Sequence, residues 1–501
     1  MQFADIVRRM PDLVALPPAL AEGWEAAAAD GIEVLGITAD SRQVRHGMIF
    51  VAVPGRSHDG RRYIGEAVAR GASIVLAPLG TSWPIGTRRR PMIEDVEPRR
   101  RLARIAALMA GAQPIVIAAV TGTNGKTSTV EFLRQLWAAA GHNAASLGTL
   151  GVIAPDADRR GLPAAASGLT TADPVTLAQG MAGLARGGVT RAAIEASSHG
   201  LDQFRLDGMR LTAGAFTNLT RDHLDYHGSL EAYREAKMRL FQQMLPARAP
   251  VVASTALDAD SMATLRHIAA RRRFALQLVG EGGEAIDLLR AIPRPDGQIL
   301  ELSVDGVRRE VALRLPGRFQ ADNALVAAAL ARVTGAEAAL DLLPGLAGVR
   351  GRMELAARLP NGAAVYVDFA HTPDALARLL AALRPHTAGR LHVVFGAGGD
   401  RDRGKRPLMG AAAAAGADQV TVTDDNPRGE DPAVIRAAVL AACPGAREIG
   451  DRARAIAAAL GELGPGDVLA VAGKGHEQGQ TIGTETLPFD DVAVVRALVG
   501  A

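Results

Sequence analysis

Short apolar runs alternate with helical patterns along most of the chain. In the middle of the sequence these runs are "PIVIAAV", "TRAAIEA", "AGAFTNL" and "APVVAS", beginning at residues 114, 190, 213 and 249. Runs rich in β-branched and other apolar residues suit strands that are buried on both faces. Their alternation with helices predicts a doubly wound parallel sheet.

Similar runs flank this central part. "MIFVAV" and "ASIVLAP" come before it, and "AAVYVDF", "RLHVVFGAG", "DQVTVTDD" and "DVLAVAG" come after it. Ligands of open parallel sheets gather where loops leave the carboxyl ends of the strands. We therefore predict an α/β protein of three domains: a small N-terminal α/β domain (1–97), a central doubly wound domain with a phosphate loop (98–348) and a C-terminal Rossmann-like α/β domain (349–501).

Composition narrows the class of protein. A chain of 501 residues exceeds what one hydrophobic core supports. The 56 basic residues nearly balance the 53 acidic ones and only 4% are aromatic, so we expect no nucleic-acid partner. Cys443 is the only cysteine, which excludes a disulfide framework. The N-terminus lacks a signal pattern and no run suits a bilayer, so we expect a cytoplasmic protein. We also expect it to be a monomer that acts on small molecules.

The stretch "VIAAVTGTNGKTSTVEFL" predicts a nucleotide site. Its glycines allow the backbone to bend around an oxyanion, its lysine neutralises phosphate charge, and the following hydroxyl can ligate Mg²⁺. The helix that starts there offers free N–H groups to the same phosphate. The usual first glycine of this pattern is Val120 here, so the loop is a variant form. The predicted ATP-binding residues of the loop are Gly122, Thr123, Asn124, Gly125, Lys126, Thr127 and Ser128.

Three later side chains point to metal-assisted nucleotide chemistry. Glu195 ends an apolar run, His223 lies in an acidic loop, and Lys237 lies in a helical stretch. Taken singly they read as a helix cap, a loop histidine and a surface lysine. After a phosphate loop, they supply the anion and imidazole that Mg²⁺–ATP chemistry uses.

At this point the chain resembles the Mur ligases, which build the peptide of bacterial peptidoglycan. The resemblance extends over essentially the whole chain and is greatest to the members that add the third residue of the stem peptide. It rests on "ADSR", "TGTNGKTS", "EASSHGL", "TNLTRDHLDYH", "AYREAKMRLF", "LPGRFQADNALVA", "GRME", "VDFAHTPDAL", "GAGGDRDRGKRP", "DDNPR" and "AGKGHE".

The resemblance implies an ATP-dependent amide ligase. ATP would phosphorylate the glutamate carboxylate of UDP-N-acetylmuramoyl-L-alanyl-D-glutamate, and an amine would then displace the phosphate. It implies Lys126, Glu195, His223 and Lys237 as catalytic residues. The implied Mg²⁺ ligands are Thr127, Glu195, His223 and Lys237, the last as a carbamate.

Further residues follow from matching motifs. For ATP, the resemblance adds Asn323, Arg352 and Asp368. For the UDP-muramoyl-dipeptide it implies Ser41, Arg56, Ser57, His58, Thr170, Thr171, Ser197, Gln203 and Arg205.

Arg428, in the polar loop "TDDNPRGEDP", receives a specific role from the same resemblance. Members with D-N-P-R take meso-2,6-diaminopimelate, whereas lysine-adding members generally replace the arginine. A guanidinium fork suits the extra carboxylate of diaminopimelate, and such a contact contributes ~1.5–3 kcal/mol. The implied diaminopimelate residues are Arg401, Asp425, Asn426, Pro427, Arg428, Gly473 and Glu477.

Other readings stay open from the sequence. A lysine-adding relative, a later-step Mur ligase and a folylpolyglutamate-type ligase share much of the pattern. The D-N-P-R loop argues against the first, and the N-terminal "ADSR" and "GRSHDG" pair argues against the folate enzyme. A nucleotide-driven switch or motor would hydrolyse nucleotide without any amine acceptor.

Overall fold

The computed structural model describes residues 1–10, 17–55, 58–155, 169–294 and 296–500. It divides into two compact units. The first unit comprises Met1–Lys126, Gly141–Val252 and Leu257–Leu276, and the second comprises Thr127–Ala140, Ala253–Ala256 and Gln277–Ala501. The three predicted domain boundaries stay a prediction. Within the described ranges, no helix combines the length and apolar character needed to cross a bilayer.

The helices mostly follow apolar runs in the sequence. They are α1 (Phe3–Arg8), α2 (Pro18–Ala29), α3 (Ile64–Ala69), α4 (Pro98–Ala110), α5 (Lys126–Ala139), α6 (Pro174–Arg186), α7 (Ser198–Asp202), α8 (Leu224–His227), α9 (Leu230–Arg239), α10 (Ala259–Arg272), α11 (Arg318–Val333), α12 (Pro373–Leu383), α13 (Lys405–Gly416), α14 (Pro432–Leu440), α15 (Arg452–Leu460) and α16 (Asp491–Val499).

Helix starts are encoded locally. The side chain of Asp173 accepts hydrogen bonds from the first turn of α6, Thr372 does the same for α12, and Asp431 for α14. A proline follows each of these three caps, where its missing N–H costs nothing.

A strand lies in every apolar run named above, and its bounds differ from those of the run by at most three residues at either end. They are β1 (Gly36–Thr38), β2 (Met48–Val51), β3 (Ile74–Pro78), β4 (Met92–Asp95), β5 (Val116–Thr121), β6 (Ala144–Gly148), β7 (Gly151–Ile153), β8 (Arg191–Glu195), β9 (Ala213–Phe216), β10 (Pro250–Ser254), β11 (Ala275–Gly280), β12 (Ile286–Arg294), β13 (Gly297–Val304), β14 (Val307–Leu313), β15 (Glu354–Arg358), β16 (Ala364–Asp368), β17 (Leu391–Phe395), β18 (Gln419–Val422), β19 (Arg447–Glu448), β20 (Val468–Ala472), β21 (Gly479–Ile482) and β22 (Glu485–Pro488).

In the first unit, β1 to β4 form a parallel sheet in sequence order. The central strands lie in the order β10-β9-β5-β8-β6-β7. Strand β5 pairs in parallel with both β8 and β9, and β6 pairs in parallel with β8. The phosphate loop therefore leaves an interior strand of a parallel sheet, as predicted.

The second unit contains a six-stranded sheet in the order β15-β16-β20-β17-β18-β19, parallel except for β15. Strands β16 and β20 are buried on both faces: Tyr366 and Ala470 belong to one apolar cluster, while Val367 and Val471 belong to the other. The α/β fold class is confirmed. The antiparallel strands β12, β13 and β14 were not predicted.

Candidate active site

The phosphate loop, residues 122–125, connects β5 to α5. Gly122 and Gly125 have φ of 150° and 84°, a region that favours glycine. A Cβ on Gly122 would lie 1.9 Å from the hydroxyl oxygen of Thr217. The backbone at Gly122 therefore approaches Thr217 too closely for any other residue.

A second loop, residues 217–220, clamps the phosphate loop. The backbone N–H of Asn124 donates to Oδ1 of Asn218 at 3.0 Å, and Asn218 Nδ2 donates back to the Asn124 carbonyl at 3.1 Å. The Thr123 hydroxyl donates to the Thr220 carbonyl at 3.1 Å. This clamp was missed from the sequence, although "TNLT" directly after the strand-forming run "AGAF" signals it.

Two lysines donate hydrogen bonds to carbonyl oxygens of the phosphate loop. Lys126 Nζ donates to the carbonyls of Gly122 at 2.9 Å and Thr123 at 2.8 Å. Lys237 Nζ donates to the Gly122 carbonyl at 2.7 Å and is 4.5 Å from the ring centre of Tyr233. Lys237 is only 1% exposed. Burial, assisted by the charge of Lys126, holds the pKa of Lys237 well below its usual range.

Glu195 lies at the end of β8, in register with Val120 of β5. Its carboxylate is 2% exposed and accepts a hydrogen bond from the Thr149 N–H at 2.8 Å. Carboxylate and hydroxyl oxygens are ligands that suit Mg²⁺, and Glu195 and Thr127, at the start of α5, each offer one of these groups. The imidazole of His223 suits a hard cation less well. Within the described ranges, no three His, Cys, Asp or Glu side chains gather closely enough to hold a metal.

His223 belongs to an aromatic cluster. The ring of His199 packs against His223, Tyr226 and His227 with centroid separations of 4.8, 4.1 and 5.6 Å. Burial, together with the charges of the neighbouring histidines, lowers the pKa of His199 to about 4. His223 itself has a left-handed backbone, with φ of 52°, and a half-exposed side chain.

The residues predicted for the muramoyl-dipeptide meet beside Glu195. The Thr171 hydroxyl lies 2.9 Å from the Glu195 carbonyl and 3.0 Å from the Ser197 hydroxyl. Arg205 donates to the Thr171 carbonyl at 2.6 Å and to Gln203 Oε1 at 2.7 Å. The Thr170 hydroxyl faces that of Thr149 at 3.3 Å. Polar groups and one arginine are thus held together at this edge of the sheet.

The residues predicted for the uridine nucleotide lie in the N-terminal sheet region. Ser41 is buried and donates its hydroxyl to Glu66 at 3.0 Å, while His58 is exposed. Arg56 and Ser57 lie outside the described residues.

Asp368 and Arg352, predicted to contact ATP, lie at the start of the six-stranded sheet. The Asp368 carboxylate accepts the N–H of Met353 at 2.7 Å, and burial raises its pKa. The Arg352 guanidinium lies 4.8 Å from the ring centre of Phe369. Asn323 is buried in α11.

Three loops at the carboxyl ends of β17, β18 and β20 meet, and we call them the acceptor loops (396–404, 423–431 and 473–478). Arg428 Nη1 donates to the Gly399 carbonyl at 2.8 Å, and the backbone N–H of Gly399 donates to the Asn426 carbonyl at 2.9 Å. The Cβ position of Gly398 lies 3.0 Å from Arg428 Nη1 and 3.7 Å from Cγ of Arg401. The two predicted arginines therefore flank one glycine.

Arg428 keeps part of its hydrogen-bonding capacity. Its backbone is left-handed, with φ of 53°, and is fixed by N–H donation to the Thr481 carbonyl at 3.0 Å. The Nε and Nη2 groups make no hydrogen bond within the described part of the chain. That edge of the guanidinium fork can receive a carboxylate.

The other predicted acceptor residues surround a lysine that was not predicted. Asn426 Nδ2 donates to Glu477 Oε2 at 3.0 Å, and Asn426 Oδ1 accepts from Lys474 Nζ at 2.9 Å. Asp425 is 6% exposed, and its Oδ2 lies 3.2 Å from the Cβ position of Gly473. Pro427 is buried as well. The lysine of "AGKGHE" immediately follows a glycine at a strand end, which is the signal that could have revealed Lys474.

Comparisons with known proteins agree along the chain. Residues 33–109 match the Mur ligase family, catalytic domain; residues 120–331 match the Mur ligase middle domain; and residues 351–475 match the Mur ligase, glutamate ligase domain. Proteins from Caulobacter vibrioides and Rhizobium meliloti, both named UDP-N-acetylmuramoyl-L-alanyl-D-glutamate--2,6-diaminopimelate ligase, are each 52% identical to it. These matches cover 93% and 94% of this chain and 96% and 95% of the relatives.

A solved structure of a UDP-N-acetylmuramoyl-L-alanyl-D-glutamate--2,6-diaminopimelate ligase is 34% identical, with a TM-score of 0.68 over 93% of this chain and 95% of that one. The fold and the loop define an α/β protein that binds nucleotide phosphates. The chain belongs to the Mur ligase family, and as a member it is an ATP-dependent ligase that forms an amide bond. Ligases of this family generally use ATP and Mg²⁺.

Proposed function

We propose that this chain joins meso-2,6-diaminopimelate to UDP-N-acetylmuramoyl-L-alanyl-D-glutamate, in the synthesis of peptidoglycan precursors. The two 52% identical relatives carry that name over nearly their whole length. The observation that carries the choice of amino acid is Arg428, whose guanidinium is anchored at one end and open at the other. Diaminopimelate offers that open edge a carboxylate, whereas lysine offers none.

The first step is transfer of the γ-phosphoryl group of ATP to the glutamate carboxylate. The bond between the γ-phosphorus and its bridging oxygen breaks, a bond from phosphorus to the carboxylate oxygen forms, and ADP leaves. A carboxylate is a poor electrophile until it carries such a leaving group. The Lys126 ammonium and the N-terminus of α5 would stabilise the charge on the transferring group. Bound Mg²⁺ would neutralise further charge, held by Thr127, Glu195 and His223.

The second step is attack by the neutral amine of diaminopimelate on the acyl phosphate. The tetrahedral species collapses to an amide and inorganic phosphate, and the amine loses a proton. Arg205 and Gln203, with Thr170, Thr171 and Ser197, would orient the dipeptide, and Ser41 with Arg56, Ser57 and His58 would bind the uridine nucleotide. Arg401, Arg428 and the backbone at Gly473 would hold the two ends of the diamino acid, and Asp425, Asn426 and Glu477 would receive its ammonium.

Lys237 has a finer role in this proposal. We infer that it carries a carbamate, which turns a cation into an anion that supports Mg²⁺. Its amine is buried against the Gly122 carbonyl, and among the described residues no carboxylate lies within ion-pair distance of it. A monomer acting in the cytoplasm, without nucleic acid, completes the proposal.

One assay tests the function. Phosphate release is measured with ATP, Mg²⁺ and UDP-N-acetylmuramoyl-L-alanyl-D-glutamate, adding meso-diaminopimelate, lysine or no amino acid. We expect release with diaminopimelate to far exceed the release with lysine, and we expect the matching tripeptide product by mass spectrometry. Equal turnover with lysine would overturn the proposed acceptor, and release without any amino acid would instead indicate a nucleotide hydrolase.

A further inference from the structure

Lys474 is the most deeply buried cation of the acceptor loops. Its side chain is 0% exposed although it belongs to a loop, two residues after the end of β20. Burying an ammonium is costly unless oxygens surround it. The groups around Lys474 must therefore compensate for the cost of burying its ammonium.

Four oxygens surround the ammonium, and they come from two acceptor loops and from the first residue of β21. Nζ donates to Asn426 Oδ1 at 2.9 Å and to the Gly479 carbonyl at 2.7 Å. Glu477 Oε2 lies at 3.5 Å and Asp425 Oδ1 at 3.7 Å. Lys474 thus links the loop after β18 to the loop after β20, which belong to strands that are not neighbours in the sheet.

The bond to Asn426 also decides which way that amide faces. An amide offers its oxygen to a donor and its NH₂ group to an acceptor. Lys474 and the Thr481 N–H, at 2.9 Å, both donate to Oδ1, so Nδ2 must face the other way, where it donates to Glu477 at 3.0 Å. Without the ammonium, one of the two donors that fix this orientation is lost.

The same ammonium balances negative charge. Asp425 and Glu477 both lie near it, and Oδ1 of Asp425 is buried without a hydrogen-bond partner within the described residues. An incoming ammonium group of the amino acid would find there one buried oxygen with free capacity and a second carboxylate held in place.

We propose that Lys474 is a positioning residue of the amino-acid site, which locks two acceptor loops together and fixes Asn426 and Glu477 for the amine of the diamino acid. This inference rests on the proposed function and deepens it. Lys474 does not touch the substrate. Its effect reaches the amino acid through Asn426 and Glu477, and not ATP or the UDP-muramoyl-dipeptide.

The test substitutes Lys474→Met, which keeps the length of the chain and removes the charge and the donors. We expect the KM for diaminopimelate to rise at least tenfold, while the KM values for ATP and UDP-muramoyl-dipeptide change less than twofold. A residue that merely holds the domain together would change all three KM values or none. The matched control is Arg390→Met, because Arg390 is a half-exposed cation directly before β17 of the same sheet. This control should leave all three values unchanged.

Selectivity separates Lys474 from Arg428. Both diaminopimelate and lysine carry the amine, so K474M should weaken both acceptors alike and leave their ratio within threefold of wild type. An unchanged KM for diaminopimelate in folded K474M, or an equal rise for all three substrates, overturns the proposal. Failure of the wild-type enzyme to use diaminopimelate would instead overturn the proposed function.

A second variant decides the matter if K474M does not fold. Asn426→Asp keeps the Oδ1 acceptor for Lys474 but replaces the NH₂ group that holds Glu477 with an oxygen. We expect its KM for diaminopimelate to rise at least tenfold with an unfolding temperature close to wild type. A KM within twofold of wild type would show that the contacts from Lys474 through Asn426 to Glu477 carry no positioning role.

Discussion

The phosphate loop and the acceptor loops handle buried charge in different ways. At the phosphate loop, Lys126 and Lys237 donate to backbone carbonyls. At the acceptor loops, the cations Lys474 and Arg428 lie among the carboxylates of Asp425 and Glu477 and the carbonyl of Gly399. The lysines of the first region contact uncharged backbone carbonyls, whereas cations and carboxylates lie side by side in the acceptor loops.

This difference matches the ligands that the two regions are proposed to take. A triphosphate is an anion along its whole length, so its charge would be met by Lys126, by the N-terminus of α5 and by a bound metal. A diamino acid carries ammonium and carboxylate groups at both ends. A site for it needs cations and anions in fixed positions, because rejecting a wrong acceptor depends on leaving a group unpaired.

The largest effect that we expect comes from Lys237, at the phosphate loop. Lys237→Ala removes the buried group above Gly122, and turnover should fall about 10²–10³-fold, as when one stabilising group of a transition state is lost. The measurement is phosphate release under saturating substrates. Glu235→Ala, exposed on the same helix, is the control and should keep wild-type turnover.

The carbamate itself has a separate readout. Protein equilibrated with ¹³C-bicarbonate should show a carbamate carbon signal by NMR that K237A lacks, and short carboxylic acids should restore part of the turnover of K237A. Normal turnover in K237A would remove Lys237 from the machinery. A missing signal in an active wild-type enzyme would mean that the lysine acts as a plain cation.

The two regions also differed in how far the sequence could predict them. The phosphate loop is one continuous stretch between a strand and a helix, so its glycines, Lys126 and Thr127 could be assigned from spacing. The clamp by Asn218 depends on β9 lying next to β5, and that neighbour relation is not written in any local pattern.

The acceptor loops were predicted residue by residue only through the resemblance to a family. Arg401, Asn426 and Glu477 are far apart in the chain, and the order β20-β17-β18 brings their loops together. Lys474 escaped because a buried loop lysine has no periodic signature, and its partners become visible only in the folded sheet. The antiparallel strands β12 to β14 were not predicted, because nothing in their sequence pattern indicated that they extend a parallel sheet.

An intermediate effect is expected at Arg428, in the acceptor loops. Arg428→Ala should raise the KM for diaminopimelate roughly 10- to 100-fold, since a hydrogen bond to a charged group contributes about 1.5–3 kcal/mol. ATP binding should stay near normal. The ratio of diaminopimelate to lysine turnover should collapse, because the carboxylate that distinguishes the two acceptors loses its partner.

Arg428→Lys sharpens this result. It keeps the charge but loses the planar fork, so it should recover only part of the selectivity. Arg378→Ala, which breaks a surface ion pair on α12, is the control for removing an arginine from the same unit. Selectivity against lysine that survives in R428A would place the recognition of the distal carboxylate elsewhere, with Arg401 as the next candidate.

The smallest effect concerns His476, which also belongs to the acceptor loops. Its ring lies 5.0 Å from that of Phe369, and its Nδ1 is buried without a hydrogen-bond partner in the described part of the chain. Burial, with help from the charge of Arg352, lowers the pKa of His476 to about 4. Neutral histidine is therefore the form that the folded protein accommodates.

The lowered pKa of His476 decides how the free energy of unfolding changes with pH. Between pH 6.5 and about 4 the unfolded chain takes up a proton at His476 that the folded protein excludes, so the free energy of unfolding should fall as the pH drops through this window. The pKa values of His199 and His371 are lowered in the same way, so these two histidines also contribute to the change of the free energy of unfolding with pH. His476→Gln should therefore reduce the slope of that free energy against pH by the contribution of at most one proton. Urea unfolding at pH 7.5, 6.5, 5.5 and 4.5 measures it, with the exposed His267→Gln as control. If the free energy of unfolding of H476Q changes with pH as it does in wild type, His476 is protonated in the folded state. The acceptor loops would then tolerate one more cation than their contacts indicate.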